Sequence, residues 1–281
     1  LSTCPEGSNF EYAFYSCESL MKVVLPVGTQ NLRYAFYNCY RLKLAEILDT
    51  THITDMRYAF YGCNTLTHIT SLNIPLCTDM DYSFQHNTWL ESIDLIDLSS
   101  VETMQYAFQH CYQLKSVEVP DLPKCTTMYY AFDLCRLLES ITFNALPVCH
   151  NMGFVVGSCR SLKTVDFKQT TSAVTSFDSA FNNNHSLIEI SIPDTSNVTN
   201  FHAMFDGCRN LKVVSELDAS KGSNFARTFR FCNSLLETPI KTITSNASNM
   251  EAMYEECHSF VDWSFLDNYV MHNVSNTGYM F

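Results

Sequence analysis

One residue position recurs along this chain at a nearly constant interval, and it restricts the fold more than any other feature. Cys17, Cys39, Cys63, Cys111, Cys135, Cys159, Cys208, Cys232 and Cys257 share it, with Asn87 and Asn184 filling the two gaps. Successive positions stand 22, 24, 24, 24, 24, 24, 25, 24, 24 and 25 residues apart. Such a period implies stacked units, because a unit of roughly 24 residues cannot bury its apolar face alone. Eleven units follow, forming one array over 1–281.

Each unit reads Met/Phe-x-Tyr-Ala-Phe-x-x-Cys-x-x-Leu-x-x-Ile-x-Leu, as from Met56 to Leu66 with Ile69. The Met or Phe, the Phe four residues on and the Leu six further form three apolar columns that stacked coils would bury. Beyond the Leu, sets such as Leu90-Ile93-Leu95, Leu114-Val117-Val119 and Leu138-Ile141-Phe143 alternate with the period of two of a half-buried strand. Pro26, Pro120, Pro147 and Pro193 follow such strands, and a residue without a backbone donor ends pairing there. The expectation is an α/β or mainly β solenoid of about eleven coils with one continuous parallel sheet, its strands about 4.8 Å apart.

Cys and Asn at one position point to a small side chain meeting backbone groups inside a tight turn. The cysteines are therefore read as buried thiols. A column of disulfides would need alternating geometry that identical coils do not offer. With 17 Lys and Arg against 29 Asp and Glu, the chain carries a formal charge of −12. Nucleic acid or an anionic membrane surface would require a basic face, so the acidity favours neutral or basic partners. No run of about 18 apolar residues occurs, and direct membrane insertion is not expected.

The segments Tyr58-Ala-Phe-Tyr-Gly-Cys-Asn-Thr-Leu66 and Thr195-Ser-Asn-Val-Thr-Asn-Phe-His-Ala-Met-Phe-Asp-Gly-Cys-Arg-Asn-Leu211 resemble the BspA-like leucine-rich repeats, and the match runs over nearly the whole chain. The resemblance implies a leucine-rich-repeat solenoid, an extracellular or cell-surface location, and adhesion or recognition of a protein or glycan rather than catalysis. A structural spacer or an assembly subunit, for example of a phage tail or surface appendage, is the alternative. Two repeats depart from the pattern, with Val156 in place of Phe, and with Tyr254 and Phe260 in place of Phe and Leu. Asn273-Val-Ser-Asn-Thr-Gly-Tyr-Met-Phe281 lines up with Asn197-Val-Thr-Asn-Phe-His-Ala-Met-Phe205. The chain is thus expected to stop inside a twelfth repeat, with more protein beyond Phe281 or another chain, including a second copy, covering an uncapped end.

Two candidate partner-binding surfaces emerge. If the Leu and the residues three and five beyond it point inward, those two and four beyond it face solvent. That places His68, Thr70, Ser92, Asp94, Ser116, Glu118, Ser140, Thr142, Thr164, Asp166, Glu189 and Ser191 on one acidic, hydroxyl-rich sheet face. The second surface is the position two before the frame Phe, aromatic in seven successive repeats: Tyr12, Tyr34, Tyr58, Tyr82, Tyr106, Tyr130 and Phe154. Stacking between coils explains these rings without a ligand, and an aromatic strip for a glycan or protein explains them with one. Ser179, Ala203, Arg227 and Ala252 then take the position, dividing the array into seven Tyr-Ala-Phe repeats to about residue 165 and four variant repeats before the truncated twelfth.

His86 and His110 share a position in consecutive coils, but Gly62 and Leu134 flank them and no third ligand is at hand, which makes a weak metal site. Sequons at Asn184, Asn197, Asn246 and Asn273 belong to the turn chemistry of the repeat and do not imply glycosylation. No phosphate-cradling loop or nucleophile elbow appears among the eight glycines, and neither cofactor nor metal is expected.

Overall fold

The structure, a computed structural model, describes residues 3–260 and 263–281. The array read over 1–281 therefore lies outside the described residues at 1, 2, 261 and 262. The chain winds into a leucine-rich-repeat solenoid of parallel strands and tight turns with a coil of about 24 residues. Its strands are β1 (Thr3–Asn9), β2 (Lys22–Leu25), β3 (Val27–Asn31), β4 (Leu44–Ile47), β5 (His68–Ile69), β6 (Leu72–Asn73), β7 (Leu95–Asp97), β8 (Ser116–Val119), β9 (Ser140–Phe143), β10 (Thr164–Phe167), β11 (Glu189–Ile190) and β12 (Val213–Val214). Among the described residues one helical segment occurs, a 3-10 turn at Ser264–Asn268, so the architecture is mainly β. The strand side is regular through about nine turns, slightly fewer than the eleven repeats counted on the Cys/Asn position.

The expected continuous sheet is not formed. The strands divide into five short parallel sheets, β1-β3, β2-β4-β5, β6-β7, β8-β9-β10 and β11-β12. Pairing over four residues runs across 24-residue steps, as in Ser116↔Ser140 and Ser140↔Thr164, and across the 22-residue step at Lys22↔Leu44. β10 and β11 belong to different sheets. Elsewhere hydroxyls replace ladder carbonyls: Ile47 N donates to Thr70 Oγ1 at 3.4 Å, and Ile192 N to Ser215 Oγ at 2.9 Å. Pairing then resumes out of line at Leu72↔Leu95.

An unbroken ladder does exist, but it is one residue wide and lies elsewhere on the coil. Single parallel bridges link Asn31, Asp55, Asp79, Thr103, Thr127, Asn151, Ser176, Asn200, Asn224, Asn249 and Asn276 in turn. At most of these positions the side-chain oxygen accepts the N–H two residues on, as Asp55 Oδ1 does from Arg57 N at 2.8 Å and Asn151 Oδ1 from Gly153 N at 2.9 Å. Asp and Asn suit this turn because the short side chain mimics a backbone acceptor.

The turn that follows spends two residues per coil in the left-handed region, as at Tyr106 (φ 57°) and His110 (φ 64°). That conformation costs roughly 1–2 kcal/mol for a residue with a Cβ. Bonds between coils offset it, since Tyr106 N reaches Tyr129 O at 2.9 Å, Phe108 N reaches Ala131 O at 2.7 Å and His110 N reaches Asp133 O at 3.0 Å. Inside the turns Met104, Phe108 and Leu114, like their equivalents in neighbouring coils, are fully buried. The frame rings stack at 5.1 Å (Phe36–Phe60), 5.3 Å (Phe60–Phe84), 5.2 Å (Phe84–Phe108) and 5.1 Å (Phe108–Phe132).

Both departures from the repeat are absorbed by packing. Val156 removes a ring from the stack, yet its N–H still donates to Ala180 O at 3.1 Å, and the edge of Phe167 meets Phe181 at 6.5 Å. Tyr254 stacks on Phe229 at 5.5 Å, and its hydroxyl finds Thr238 Oγ1 at 2.6 Å and the Tyr269 hydroxyl at 2.8 Å. At the last residues Ala252 N donates to Gly278 O at 2.8 Å and Tyr254 N to Met280 O at 2.9 Å, repeating the turn of the coils before.

The Cys/Asn position has one chemical role. Its side chain donates to the carbonyl of the frame Phe one coil earlier: Cys63 Sγ to Phe36 O at 3.2 Å, Cys111 Sγ to Phe84 O at 3.3 Å and Cys208 Sγ to Phe181 O at 3.0 Å. Asn87 Nδ2 gives the same bond to Phe60 O at 2.9 Å, and Asn184 Nδ2 to Val156 O at 3.1 Å. The cysteines from Cys17 to Cys257 are unpaired thiols. Burial pushes the thiol pKa up, to about 11 at Cys39 and about 12 at Cys208, so these groups stay protonated donors.

Candidate functional site

The alternation of β8, β9 and β10 turns Val117, Ile141 and Val165 into the core and their neighbours outward. Of the sheet-face residues, His68, Ser92, Asp94, Ser116, Glu118, Thr164, Asp166, Glu189 and Ser191 are exposed, and Thr70, Ser140 and Thr142 are half-buried. Two shallow hollows mark the face. Ser92, Asp94, Ser116, Glu118 and Asn144 line one, and Thr164, Glu189 and Ser191 line the other with Lys163 and Val213. Asp166 is paired with Lys168 at 2.5 Å, whereas Glu118 takes a long bond from Asn144 Nδ2 at 3.4 Å and Asp94 one from Ser71 Oγ at 3.2 Å. Asp94, Glu118 and Glu189 are the carboxylates of the face without an ion pair among the described residues, and Asp94 and Glu118 share the first hollow.

A border of this face escaped the sequence reading. One residue before the outward strand position, Glu91, Lys115, Glu139 and Lys163 alternate in sign along four coils, with Lys115–Glu91 at 3.6 Å and Lys163–Glu139 at 2.7 Å. The signal was present as opposite charges 24 residues apart. Exposed pairs of this kind contribute about 0–1 kcal/mol each, so they give the face an electrically closed margin more than they give the fold stability.

The seven aromatic residues form one continuous stack. Centroid separations from Tyr12 to Phe154 are 4.9, 4.7, 4.4, 4.8, 4.9 and 4.2 Å. Tyr15, Tyr37 and Tyr61 make a shorter parallel stack at 5.0 and 4.7 Å. Stacking of this kind uses the ring faces, the surface a sugar would pack against, and leaves edges and hydroxyls to solvent. Every residue of the strip is in the left-handed region, with φ between 51° at Phe154 and 60° at Tyr82, and so are Ser179, Ala203, Arg227 and Ala252 after it. The turn demands the conformation and tolerates the side chain.

His86 and His110 stack at 4.4 Å, and His110 Nδ1 lies 3.0 Å from the Tyr112 hydroxyl. Burial, then His86 and Arg136, push the His110 pKa down to about 4, and burial lowers that of His86, so both rings are neutral at pH 7. Beside them a buried chain of polar groups crosses three coils: Gln85 Nε2 donates to Gln109 Oε1, and Gln109 Nε2 to Asp133 Oδ2 at 2.9 Å. Burial raises the Asp133 pKa to about 6. Among the described residues no group of three His, Cys, Asp or Glu is placed to hold a metal, and no helix is long and apolar enough to cross a membrane.

No curated protein matches the chain in sequence. Among solved structures, it is similar to a leucine-rich repeat protein from Bacteroides ovatus, with a TM-score of 0.50 and 22% identity over 89% of this chain and 68% of that one. It is also similar to a leucine rich cell surface protein from Faecalibacterium prausnitzii, with a TM-score of 0.36 and 17% identity over 92% of this chain and 84% of that one. A family model described as a Mycoplasma protein of unknown function matches residues 161–281. The model of the BspA type leucine rich repeat region matches in six copies, over 10–103 and 33–152, which together span half of the chain. On that match, and on the solenoid that the repeats build, the chain belongs to the BspA type leucine-rich-repeat family.

Proposed function

We propose that this chain is a recognition module of a surface or secreted protein, and that it binds a protein partner across the sheet face. The carrying observation is the extended exposed face itself, polar and unbroken by turns across β8, β9 and β10, with Asp94 and Glu118 uncompensated at one hollow. Solenoids present such faces to partners because their cores are closed off behind them. Repeats of this family commonly serve surface recognition and protein binding, and leucine-rich solenoids are typically binding modules rather than enzymes. Self-stacking of the strip favours a protein on the sheet face over a glycan on the tyrosines.

The test is binding of the purified chain to cells and to a panel of immobilised extracellular proteins, neutral and basic. The triple variant Asp94→Lys, Glu118→Lys, Asp166→Lys should lose at least about tenfold in affinity, since each reversal places a like charge before the partner. Unchanged binding by that variant removes the sheet face as the site. Ordered oligomers with no bound partner would make the chain an assembly subunit instead.

A further inference from the structure

The residue directly after the Cys/Asn position forms a column of its own. In the first five coils it is Glu18, Tyr40, Asn64, Thr88 and Tyr112, and in the next four it is Arg136, Arg160, His185 and Arg209. Three exposed guanidiniums and a half-buried imidazole thus stand one coil apart in a chain of net charge −12. Some cations lie against acids of a neighbouring coil, as in Lys163–Glu139, Arg227–Glu251 and Arg230–Asp206, and others such as Lys22, Lys43 and Lys124 stand singly without an ion pair; only here, among the described residues, do arginines without an ion pair follow one another in a single column. Among the described residues the guanidiniums of Arg136, Arg160 and Arg209 have no ion pair or hydrogen bond, and that of Arg136 lies over the Tyr112 ring, 4.4 Å from its centroid. His185 sits on the coil between those of Arg160 and Arg209, and burial, then the two arginines, push its pKa down. Net charge conceals this row because the acids, apart from Glu18 in the first coil, are spread over the other columns.

The backbone holds the row in register. Ser161 N donates to Arg136 O at 3.2 Å, Ser186 Oγ to Arg160 O at 2.7 Å and Asn210 Nδ2 to His185 O at 2.7 Å. At about 4.8 Å per coil the four positions span about 14 Å. Alternate side chains of an extended peptide lie about 6.8 Å apart, so acids at i, i+2 and i+4 also span about 14 Å. The outer two would meet Arg136 and Arg209, and the middle one would fall between Arg160 and His185. Planar guanidinium forks suit carboxylates. Ser186 and Asn210 already spend their side-chain donors on the backbone, which leaves the row poor in the hydroxyl-matching groups a sugar chain needs.

We propose that Arg136, Arg160, His185 and Arg209 form a docking row for an extended acidic peptide segment of a partner protein. The row is separate from the sheet face, and its failure leaves the proposed function untouched. The probe is a fluorescently labelled Glu-Thr-Glu-Thr-Glu peptide, with the Lys-Thr-Lys-Thr-Lys peptide as control, followed by anisotropy on the full chain at low salt. The acidic peptide should bind and the basic one should not. The triple variant R136Q/R160Q/R209Q should weaken binding about tenfold or more, whereas K22Q/K43Q/K124Q, with the same change in net charge, should leave it within about twofold. If R136Q disturbs packing on Tyr112, R160Q alone keeps the test open, with a several-fold loss expected. Absence of binding, or equal loss in both triple variants, overturns the proposal. Polygalacturonate displacing the peptide at lower carboxylate concentration would also overturn it, in favour of an anionic glycan.

Discussion

Up to Phe154 the left-handed turn position carries stacked rings, and from Ser179 to Ala252 the same position, at the same backbone angles, carries Ser, Ala and Arg. In the first region neighbouring coils meet through ring faces 4.2 to 4.9 Å apart. In the second they meet through polar contacts, a hydrogen bond between His202 and Asp178 at 2.8 Å and ion pairs of Arg230–Asp206 at 2.6 Å and Arg227–Glu251 at 3.5 Å. The core and the bonds between coils are common to both. The comparison teaches that the turn is built by the backbone ladder and the buried columns, which frees the outer side chain to change while the coil does not.

The strongest test of that separation is in the shared core. Phe108→Ala in the first region and Phe205→Ala in the second should each cost about 3–5 kcal/mol in urea or thermal unfolding, because both rings are fully buried between neighbours. A loss confined to one region would show that the two cores are not equivalent.

Next in size are two titrations found in the first region. Asp133 is raised to about 6, above an unfolded value of about 3.9, so its contribution is full below that lower value and is lost as pH rises through 6. Asp133→Asn should therefore gain up to about 3 kcal/mol relative to the parent at pH 7 and little at pH 4. His110, lowered to about 4, acts oppositely: its contribution is present above about pH 6.5 and is lost as pH falls through 4. The two trends oppose each other in the parent, and melting curves of His110→Gln should show stability retained in acid. A pH profile for both variants identical to that of the parent would refute the burial-driven shifts.

Smaller effects separate the surfaces. Tyr82→Ala loses two stacking neighbours worth about 0.5–1.5 kcal/mol each, measurable as a lowered midpoint. At the equivalent position of the second region Ala203→Gly, relieving a φ of 48°, should be neutral to about 1 kcal/mol stabilising. The smallest change is Arg227→Gln, at most about 1 kcal/mol and vanishing in high salt, since both partners of its ion pair are substantially exposed. A large, salt-insensitive loss there would mean that the second region depends on its charge pairs as the first does on its rings.

Much of this was readable from residue spacing. The interval between Cys63, Asn87 and Cys111 gave the coil, and Leu114-Val117-Val119 gave the inward and outward sides of β8. The turn was harder to see, because Tyr at a left-handed position gives no Gly or Asn signal, and Asn38, Gly62, Asn183 and Gly207 advertise it only at the second such site and in four coils. The Asx ladder was hidden for another reason: Asp55, Thr127 and Ser176 share a function but not a residue type. The separation of β10 from β11 shows only when two coils are laid side by side.

The sequence by itself determined the repeat, its apolar columns and the small donor at the Cys/Asn position, because burial and periodicity act on every coil alike. Tertiary structure alone decided how neighbouring coils face one another. It made five short sheets of the one expected, stacked the tyrosines face to face, and left Arg136, Arg160 and Arg209 without acids while Lys163 found Glu139. Those outcomes rest on distances of 3 to 5 Å between residues some 24 apart, which no single coil contains.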